Sequence, residues 1–445
     1  MYSEIKTFSY PNGELQRVQL VRPENWSQLN FLKLSYCEGA LDCFAKIYEQ
    51  YLVPACPWLF GNLVMFYLPP DAQTEGLHDT KKYGLVADRL TAAAAALEDG
   101  VKIIGNRPVF RNERVRNLWE LLESRNCIRL IRGKLPVTTI IPVGNAPGFL
   151  SQTEQTAALK VNSSFFIMDR FDCATAYDHI GSHLGLCVKD GVVENPPLFG
   201  REALLVKKDG SVSVTALQLS DLEIEIAGQT YAAGKNAVLF SRPRRARTPR
   251  GKGKELVIIG RTVAAVRDCG GPIPASGFVL RPKGESKAVP GSLVTYRGME
   301  DVAFGIQVGN SIVIDGKKTE GFRSRFYNIR HLERVPFPPS LYPMDFKKAR
   351  AARIALGADK DGKPMLLWAE GAGKLGYVPG TDSRGASLSD MAQICSELGM
   401  VNAVNLDGGG SAQILLNNKR NLLISDRNAD HTEAERPVPA ALIIQ

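Results

Sequence analysis

Three consecutive glycines, Gly408-Gly409-Gly410, constrain this chain more than any other feature. They sit in Asn402-Ala403-Val404-Asn405-Leu406-Asp407-Gly408-Gly409-Gly410-Ser411-Ala412-Gln413, and the apolar run Ile414-Leu415-Leu416 follows. An apolar run that ends in one carboxylate, three glycines and a hydroxyl reads as strand, sharp turn, strand. Each glycine weakens a regular element because it has much conformational freedom to lose. Three together make sense where the backbone takes positive φ or where another group comes close. Two readings follow. One is a tight hairpin turn capped by Asp407. The other is a concave, N–H-lined anion cradle with an acid or base, Asp407, at its rim.

The sequence just before this stretch supplies its setting. Ser387 and Asp390 form a capping box, and Leu388, Met391, Ala392, Cys395 and Leu398 make an apolar helical face that Gly399 ends. Ala403 to Leu406 then reads as a strand packed on that helix, with Asp407 where the strand opens onto a loop, a common place for a site. From about residue 150 the texture is β-rich. Short apolar runs such as 203–207, 212–216, 256–259, 262–266 and 302–308 are separated by turn pairs at Asp190-Gly191, Asp209-Gly210, Asp315-Gly316 and Asp361-Gly362. Residues 1–145 read as a smaller mixed α/β region of unknown role. It has helical patterns at 40–51, 86–97 and 115–124 and strands at 128–131 and 137–143, and Gly144 to Gly148 marks a boundary. The expected fold class is α+β: a mainly antiparallel, β-rich catalytic-type domain with packed helices at 146–445, preceded by the α/β region.

Composition excludes several classes. The 44% hydrophobic and 23% charged fractions suit a globular chain of 445 residues with a large core. No uncharged apolar run reaches the roughly 18–20 residues a membrane span needs. The start, Met1 to Lys6, lacks a basic region followed by an apolar core, and the eight cysteines show no paired zinc spacing. The expectation is a cytoplasmic protein with reduced thiols. The net charge of +9 is concentrated in Arg242 to Lys254, which holds seven basic residues and no acid; outside it 48 basic residues face 46 acidic ones. With its prolines and glycines that run reads as a mobile hairpin loop, either simply solvated or a polyanion-contacting arm. It lacks the interleaved aromatics that base stacking needs. His78 is an isolated histidine. Asp178, His179 and His183 give only a two-histidine spacing, so no metal and no cofactor are expected.

The stretch Asn405-Leu406-Asp407-Gly408-Gly409-Gly410-Ser411 resembles the signature of the phosphodiester glycosidase family, whose members include the uncovering enzyme. Other segments carry the same resemblance from Asn162 onward, over about two thirds of the chain. Ala352-Arg353-Ile354-Ala355-Leu356-Gly357 is similar to the family's Pro-Arg-Thr-Ala-Ile-Gly strand, with Ile354 for Thr. Leu366 to Gly371 is similar to an apolar strand ending in Asp-Gly, with Glu370 for Asp. Glu435-Arg436-Pro437-Val438 is similar to the terminal Glu-Arg-Pro-Val, and Asn162-Ser163-Ser164-Phe165-Phe166 to Asn-Gly-Gly-Phe-Phe with both glycines replaced. Asp169, His179 and His183 follow that segment closely and can line the same cleft.

The resemblance implies a hydrolase that cleaves the glycosidic bond of a sugar-1-phosphodiester and releases a free sugar and a phosphomonoester. Asp407 and Glu370 are then the paired catalytic carboxylates. Asn162, Arg353, Gly408, Gly409, Gly410, Ser411 and Arg436 are substrate-binding, the guanidiniums forking onto phosphate oxygens. Two other functions stay open: a non-catalytic binder of sugar phosphates or nucleotide sugars, and a nucleic-acid-associated protein acting through 242–254. The implied partners are a phosphorylated sugar or glycosylated phosphodiester and, through the basic loop, a polyanion; no membrane is implied.

Overall fold

The computed structural model describes residues 1–34 and 148–445 apart from 154, 168–180, 199, 243–244, 321–348, 374–376, 381 and 429, and the segments 61–66, 96–97, 100–104, 107–124, 128–134 and 137–140. The helical pattern at 40–51, most of that at 86–97, His78, Asp169, Asp178 and His179 lie outside the described residues. The architecture is mostly antiparallel β-sheet with few helices. Gly61–Phe66 with Val137–Ile140 is a parallel pair.

Two sheets and one helix position the glycine loop. A seven-stranded antiparallel sheet runs in the order Tyr2–Ser9, Leu15–Arg22, Pro364–Ala369, Arg353–Asp359, Met400–Asn405, Ser311–Ile314, Lys317–Lys318. A five-stranded sheet runs Lys419–Arg420, Ile414–Leu416, Leu159–Asn162, Ala440–Ile444, Asn30–Lys33. Strand side chains alternate between faces. Ile354, Leu356, Leu366 and Trp368 therefore join Val161, Ile414, Leu442 and Phe31 in one core between the two sheets. Ala355, Met365, Leu367 and Ala369 point the other way and pack on Leu388, Met391, Ala392 and Cys395 of the helix Leu388–Glu397. The layers are helix, seven-stranded sheet, five-stranded sheet. A strand with both faces covered must be apolar throughout, and Pro364–Ala369 is buried at every position.

The helix begins and ends as its sequence dictates. Ser387 Oγ accepts the Asp390 N–H at 3.1 Å, and the Asp390 carboxylate accepts the Ser387 N–H at 2.9 Å. Gly399 follows at φ +88° and its N–H donates to the Ser396 carbonyl. Asp190-Gly191 and Asp315-Gly316 take positive φ at both positions, as a two-residue hairpin turn requires.

Two expectations need correction. Residues 2–33 do not belong to a separate region ending at 145. Leu15–Arg22 pairs with Pro364–Ala369, and Asn30–Lys33 pairs with Ala440–Ile444. The hydrophobic pattern shows that a strand exists, but not which distant strand it joins. Nor is 242–254 a hairpin loop. Ala237–Ser241 and Lys254–Ile259 are separated by Gly277–Pro282 in their sheet, so the run crosses over a strand. It is also tied down: the Thr248 hydroxyl, Arg267 and Arg281 all donate to Glu255, a carboxylate fully out of solvent. The Thr248 N–H donates to the Gly271 carbonyl, and the Ile273 N–H donates to the Ala246 carbonyl. A buried carboxylate needs such partners, and meeting that need fixes the run's course.

Among the described residues no helix is long and apolar enough to cross a membrane. Of the described cysteines, Cys187 and Cys395 are buried, Cys269 is half-buried, and none forms a disulfide.

Candidate active site

The glycine loop is where the chain changes sheets. Met400–Asn405 lies in the seven-stranded sheet and Ile414–Leu416 in the five-stranded one. A tight hairpin would pair its flanking strands with each other, and these two do not pair. The corner is instead shaped by three glycines with three different reasons. A Cβ on Gly408 would sit 2.7 Å from the Ala352 carbonyl oxygen, so the loop could not lie against the strand of Arg353. Gly409 has φ +61° with open space around it; its requirement is conformational. A Cβ on Gly410 would fall 2.2–2.4 Å from the carboxylate of Asp426. No side chain fits there while Asp426 occupies its place.

The loop's own amides largely face inward. The Gly408 N–H donates to Asp407 Oδ1 at 2.9 Å, and the Gly409 N–H donates to the Ala352 carbonyl at 2.8 Å. The Ser411 and Ala412 N–H groups donate to the Gly408 and Gly409 carbonyls. An open row of N–H groups across 408–410, as a nest requires, is not what the corner presents. The Gly408 and Gly409 N–H groups are spent on Asp407 and Ala352, and the short 3₁₀ turn Gly409–Ser411 closes on the N–H groups that follow. Ser411 is fully buried and its hydroxyl has no hydrogen-bond partner among the described residues.

Asn162 holds the loop at both ends. Its Nδ2–H donates to the Asp407 carbonyl at 2.9 Å, and its Oδ1 accepts the Gln413 N–H at 3.0 Å. The residue is 1% exposed. The geometry therefore gives it a clamping task, where sequence reasoning assigns it to substrate. The Ser163 carbonyl accepts the Asp407 N–H at 3.3 Å, so this segment also seats the carboxylate-bearing residue. Asp407 itself is 9% exposed. Burial pushes the Cys187 thiol up to about 12, with Ser164 Oγ 3.5 Å from the sulfur.

The two guanidiniums reach this corner from separate elements. Arg353 lies against Gly408: its Cα and Cδ would be 3.7 and 3.6 Å from a Cβ there. Its Nε–H and an Nη2–H donate to the carbonyls of Ala386 and Ala349. Arg436 arrives from the approach to Ala440–Ile444. Its Nε and Nη2 donate to Asp426 Oδ2 at 2.8 and 2.7 Å, and Asp426 in turn presses on Gly410. Both guanidiniums are buried, as is Asp426. Arg427, next in the chain, stands 4.0 Å from the buried carboxylate of Asp382.

Glu370 has a different neighbourhood from the one its sequence position suggests. Its Oε2 accepts from Arg17 Nε and the Ser383 hydroxyl, and its Oε1 accepts the Leu423 N–H at 2.7 Å. The residue is 1% exposed. This carboxylate joins the strand Leu15–Arg22 to the segments carrying Ser383 and Leu423. Sequence reasoning missed Asp426, Arg427 and Asp382. Ser425-Asp426-Arg427-Asn428 has the polarity of an ordinary turn, and only the empty side chain at Gly410 signals what packs there. Among the described residues no group of three or more His, Cys, Asp or Glu side chains is arranged to hold a metal ion.

The segment that supplies Arg353, Asp407, the three glycines, Asp426 and Arg436 matches the family model described as phosphodiester glycosidase, over residues 274–445. Asn162 lies outside the matched segment yet clamps its loop. The mouse and human N-acetylglucosamine-1-phosphodiester alpha-N-acetylglucosaminidases are each 40% identical over 72 residues, 16% of this chain. The chain thus matches 12% of the length of these curated relatives. The solved catalytic domain of the zebrafish N-acetylglucosamine-1-phosphodiester alpha-N-acetylglucosaminidase overlays with a TM-score of 0.41 at 12% identity, covering 100% of this chain and 82% of that one. A hypothetical protein from Synechocystis overlays at 0.42 and 16% identity, covering 99% of this chain and 61% of that one. Both overlays are too loose to carry an argument.

Proposed function

We propose that this protein hydrolyses the bond between the anomeric carbon of a sugar and the oxygen of a phosphodiester, releasing free sugar and a phosphomonoester. The observation that carries the reading is the meeting of Asp407, Arg353 and Arg436 at one loop of a phosphodiester glycosidase segment. A phosphomonoester is a weakly basic leaving group, with a second pKa near 6, so its departure needs little protonation. The site's tasks are to compensate phosphate charge and to stabilise a cationic, sugar-like transition state. Arg353 and Arg436 serve the first. Asp407 serves the second, or activates water. Glu370 contributes by holding Arg17 and the Ser383 segment in place. The substrate class follows from the same reading: a glycosylated phosphodiester.

The inward-facing amides of the loop favour one alternative, a binder of sugar phosphates that does not turn them over. The two readings separate in one experiment. The purified protein is incubated with aryl and nucleotide sugar-1-phosphodiesters, and sugar and phosphomonoester release are followed. The hydrolase reading expects stoichiometric release that Asp407→Asn lowers by about 10²–10⁴-fold without loss of folding. Tight binding without release supports the binder, and undiminished turnover by Asp407→Asn removes Asp407 from the chemistry.

A further inference from the structure

The seven-stranded sheet ends on an open edge. Tyr2–Ser9 pairs with Leu15–Arg22 through all eight of its residues without a bulge, and no described strand lies on its other side. None of the eight is buried; Tyr2 is 55% and Ile5 48% exposed. Backbone N–H and C=O groups along such an edge form a template for one more strand. We propose that the occupant is a second copy of this chain, whose own Tyr2–Ser9 pairs antiparallel with the first about a two-fold axis through Ile5.

The strand shows little hydrophobic alternation, but the order of its side chains argues for that partner. Directly opposite residues of an antiparallel pair are of one hydrogen-bonding kind. Two-fold symmetry then places the axis on one residue and its copy. An axis at Ile5 sets Tyr2 opposite Phe8 of the second copy, Ser3 opposite Thr7, Glu4 opposite Lys6 and Ile5 opposite itself. Aromatic on aromatic, hydroxyl on hydroxyl and carboxylate on ammonium are each favourable cross-strand pairs, and the symmetry repeats each of them. Registers slid by two residues move the axis to Glu4 or to Lys6, and either sets a charge against its own copy, which is destabilising. The two charged residues therefore select the register. Within one chain Lys6 Nζ lies 3.4 Å from Glu4 Oε1 with both side chains in contact with solvent. An ion pair of that kind has little energetic weight and is readily exchanged for the one between copies. A lysine on an edge strand ordinarily keeps other strands away. Here it is met by a carboxylate when the incoming strand is its own copy. Once joined, both edges are occupied and the assembly closes at two.

Sedimentation equilibrium on the full chain tests the pairing. The wild type is expected to show a concentration-dependent monomer–dimer equilibrium. Glu4→Lys sets lysine against lysine at two places, and Lys6→Glu sets glutamate against glutamate at two. Each variant should raise the dimer dissociation constant by about tenfold or more. Both positions reach solvent, so folding is retained, and circular dichroism checks it. Mixed in equal amounts, the two variants complement each other: the new lysine of one faces the new glutamate of the other, and the untouched Lys6 faces the untouched Glu4. The mixture should dimerise within about threefold of the wild type. Amide exchange at alternate residues of Tyr2–Ser9 should slow as the dimer fills. A wild type that stays monomeric up to its solubility limit overturns the proposal. Single variants that dimerise like the wild type, or exchange in Tyr2–Ser9 that dimerisation leaves unchanged, place the contact elsewhere and overturn it too. A mixture that associates as weakly as the single variants removes the register centred on Ile5, and the proposal with it.

Discussion

Gly410→Ala isolates the packing at the heart of the corner. The backbone there is not in the left-handed region, so alanine meets no conformational penalty of the kind expected at Gly409. Its entire cost comes from Asp426, whose carboxylate atoms lie 2.2–2.4 Å from the new Cβ. Ordinary contact demands a withdrawal of about 1 Å. Asp426 is fully buried and bonded to Arg436 at 2.7 and 2.8 Å, so it cannot withdraw without stretching those bonds. Overpacking costs about 1–3 kcal/mol, and each weakened charge-assisted bond about 1.5–3 kcal/mol. A total near 3–5 kcal/mol follows. Gly409→Ala, with φ +61° and nothing within 4 Å, should cost only about 1–2 kcal/mol. Urea denaturation followed by tryptophan fluorescence measures both. The decisive measurement is the cycle with Asp426→Ala, which empties the space the methyl needs. The double variant should be more stable than additivity predicts by up to about 3 kcal/mol. Gly410→Ala no worse than Gly409→Ala, or additivity within about 0.5 kcal/mol, would refute the contact.

Glu370→Gln should lower stability by about 1–3 kcal/mol, because Arg17, Ser383 and the Leu423 N–H lose a charged acceptor; a catalytic role would instead show as a collapse of turnover in protein of near-normal stability. Asn162→Ala leaves the Asp407 carbonyl and the Gln413 N–H without their shared partner and should cost about 2–4 kcal/mol. Asn162→Asp should be worse than alanine, since it sets a carboxylate oxygen against the Asp407 carbonyl; equal stabilities would count against the clamp. Burial holds the Lys160 ammonium below its usual pKa of 10.5, with Glu435 opposing the effect. The unfolded chain therefore keeps that proton to higher pH, so stability should rise as pH climbs from the folded pKa toward 10.5, and Lys160→Met should flatten the rise. Alkylation of the native protein, mapped by mass spectrometry, should label Cys269 ahead of the buried Cys187 and Cys395.

The corner itself was legible because glycine reports on backbone and neighbours directly. Gly408 and Gly410 announce a close approach, although not what approaches. The capped helix before it was legible for the same local reason: Ser387, Asp390 and Gly399 are its ends. The role of Glu370 was not legible, because its three partners are Arg17, Ser383 and Leu423, one of them more than 350 residues away. Asn162 was placed at the corner by the resemblance, but its bonds to the Asp407 carbonyl and the Gln413 N–H were not legible, since an amide that binds backbone and one that binds a ligand look alike in sequence. The strands at 2–9 and 15–22 failed differently. Tyr2–Ser9 is mostly exposed and carries little pattern, and the pairing of Leu15–Arg22 with Pro364–Ala369 is written in neither segment alone.

The strand Ala440–Ile444 lies between Asn30–Lys33 and Leu159–Asn162, with Ala441 opposite Asn162. A ribosome must therefore deliver residue 444 before the sheet that seats the clamp can close. Until then two β-edges and the apolar faces of Leu159 and Val161 stand open to solvent, a state that invites mispairing and chaperone capture. Pairing across so long a loop makes assembly slow. A chain cut ahead of residue 440 should accumulate in that state, and no shorter N-terminal fragment should assemble the corner.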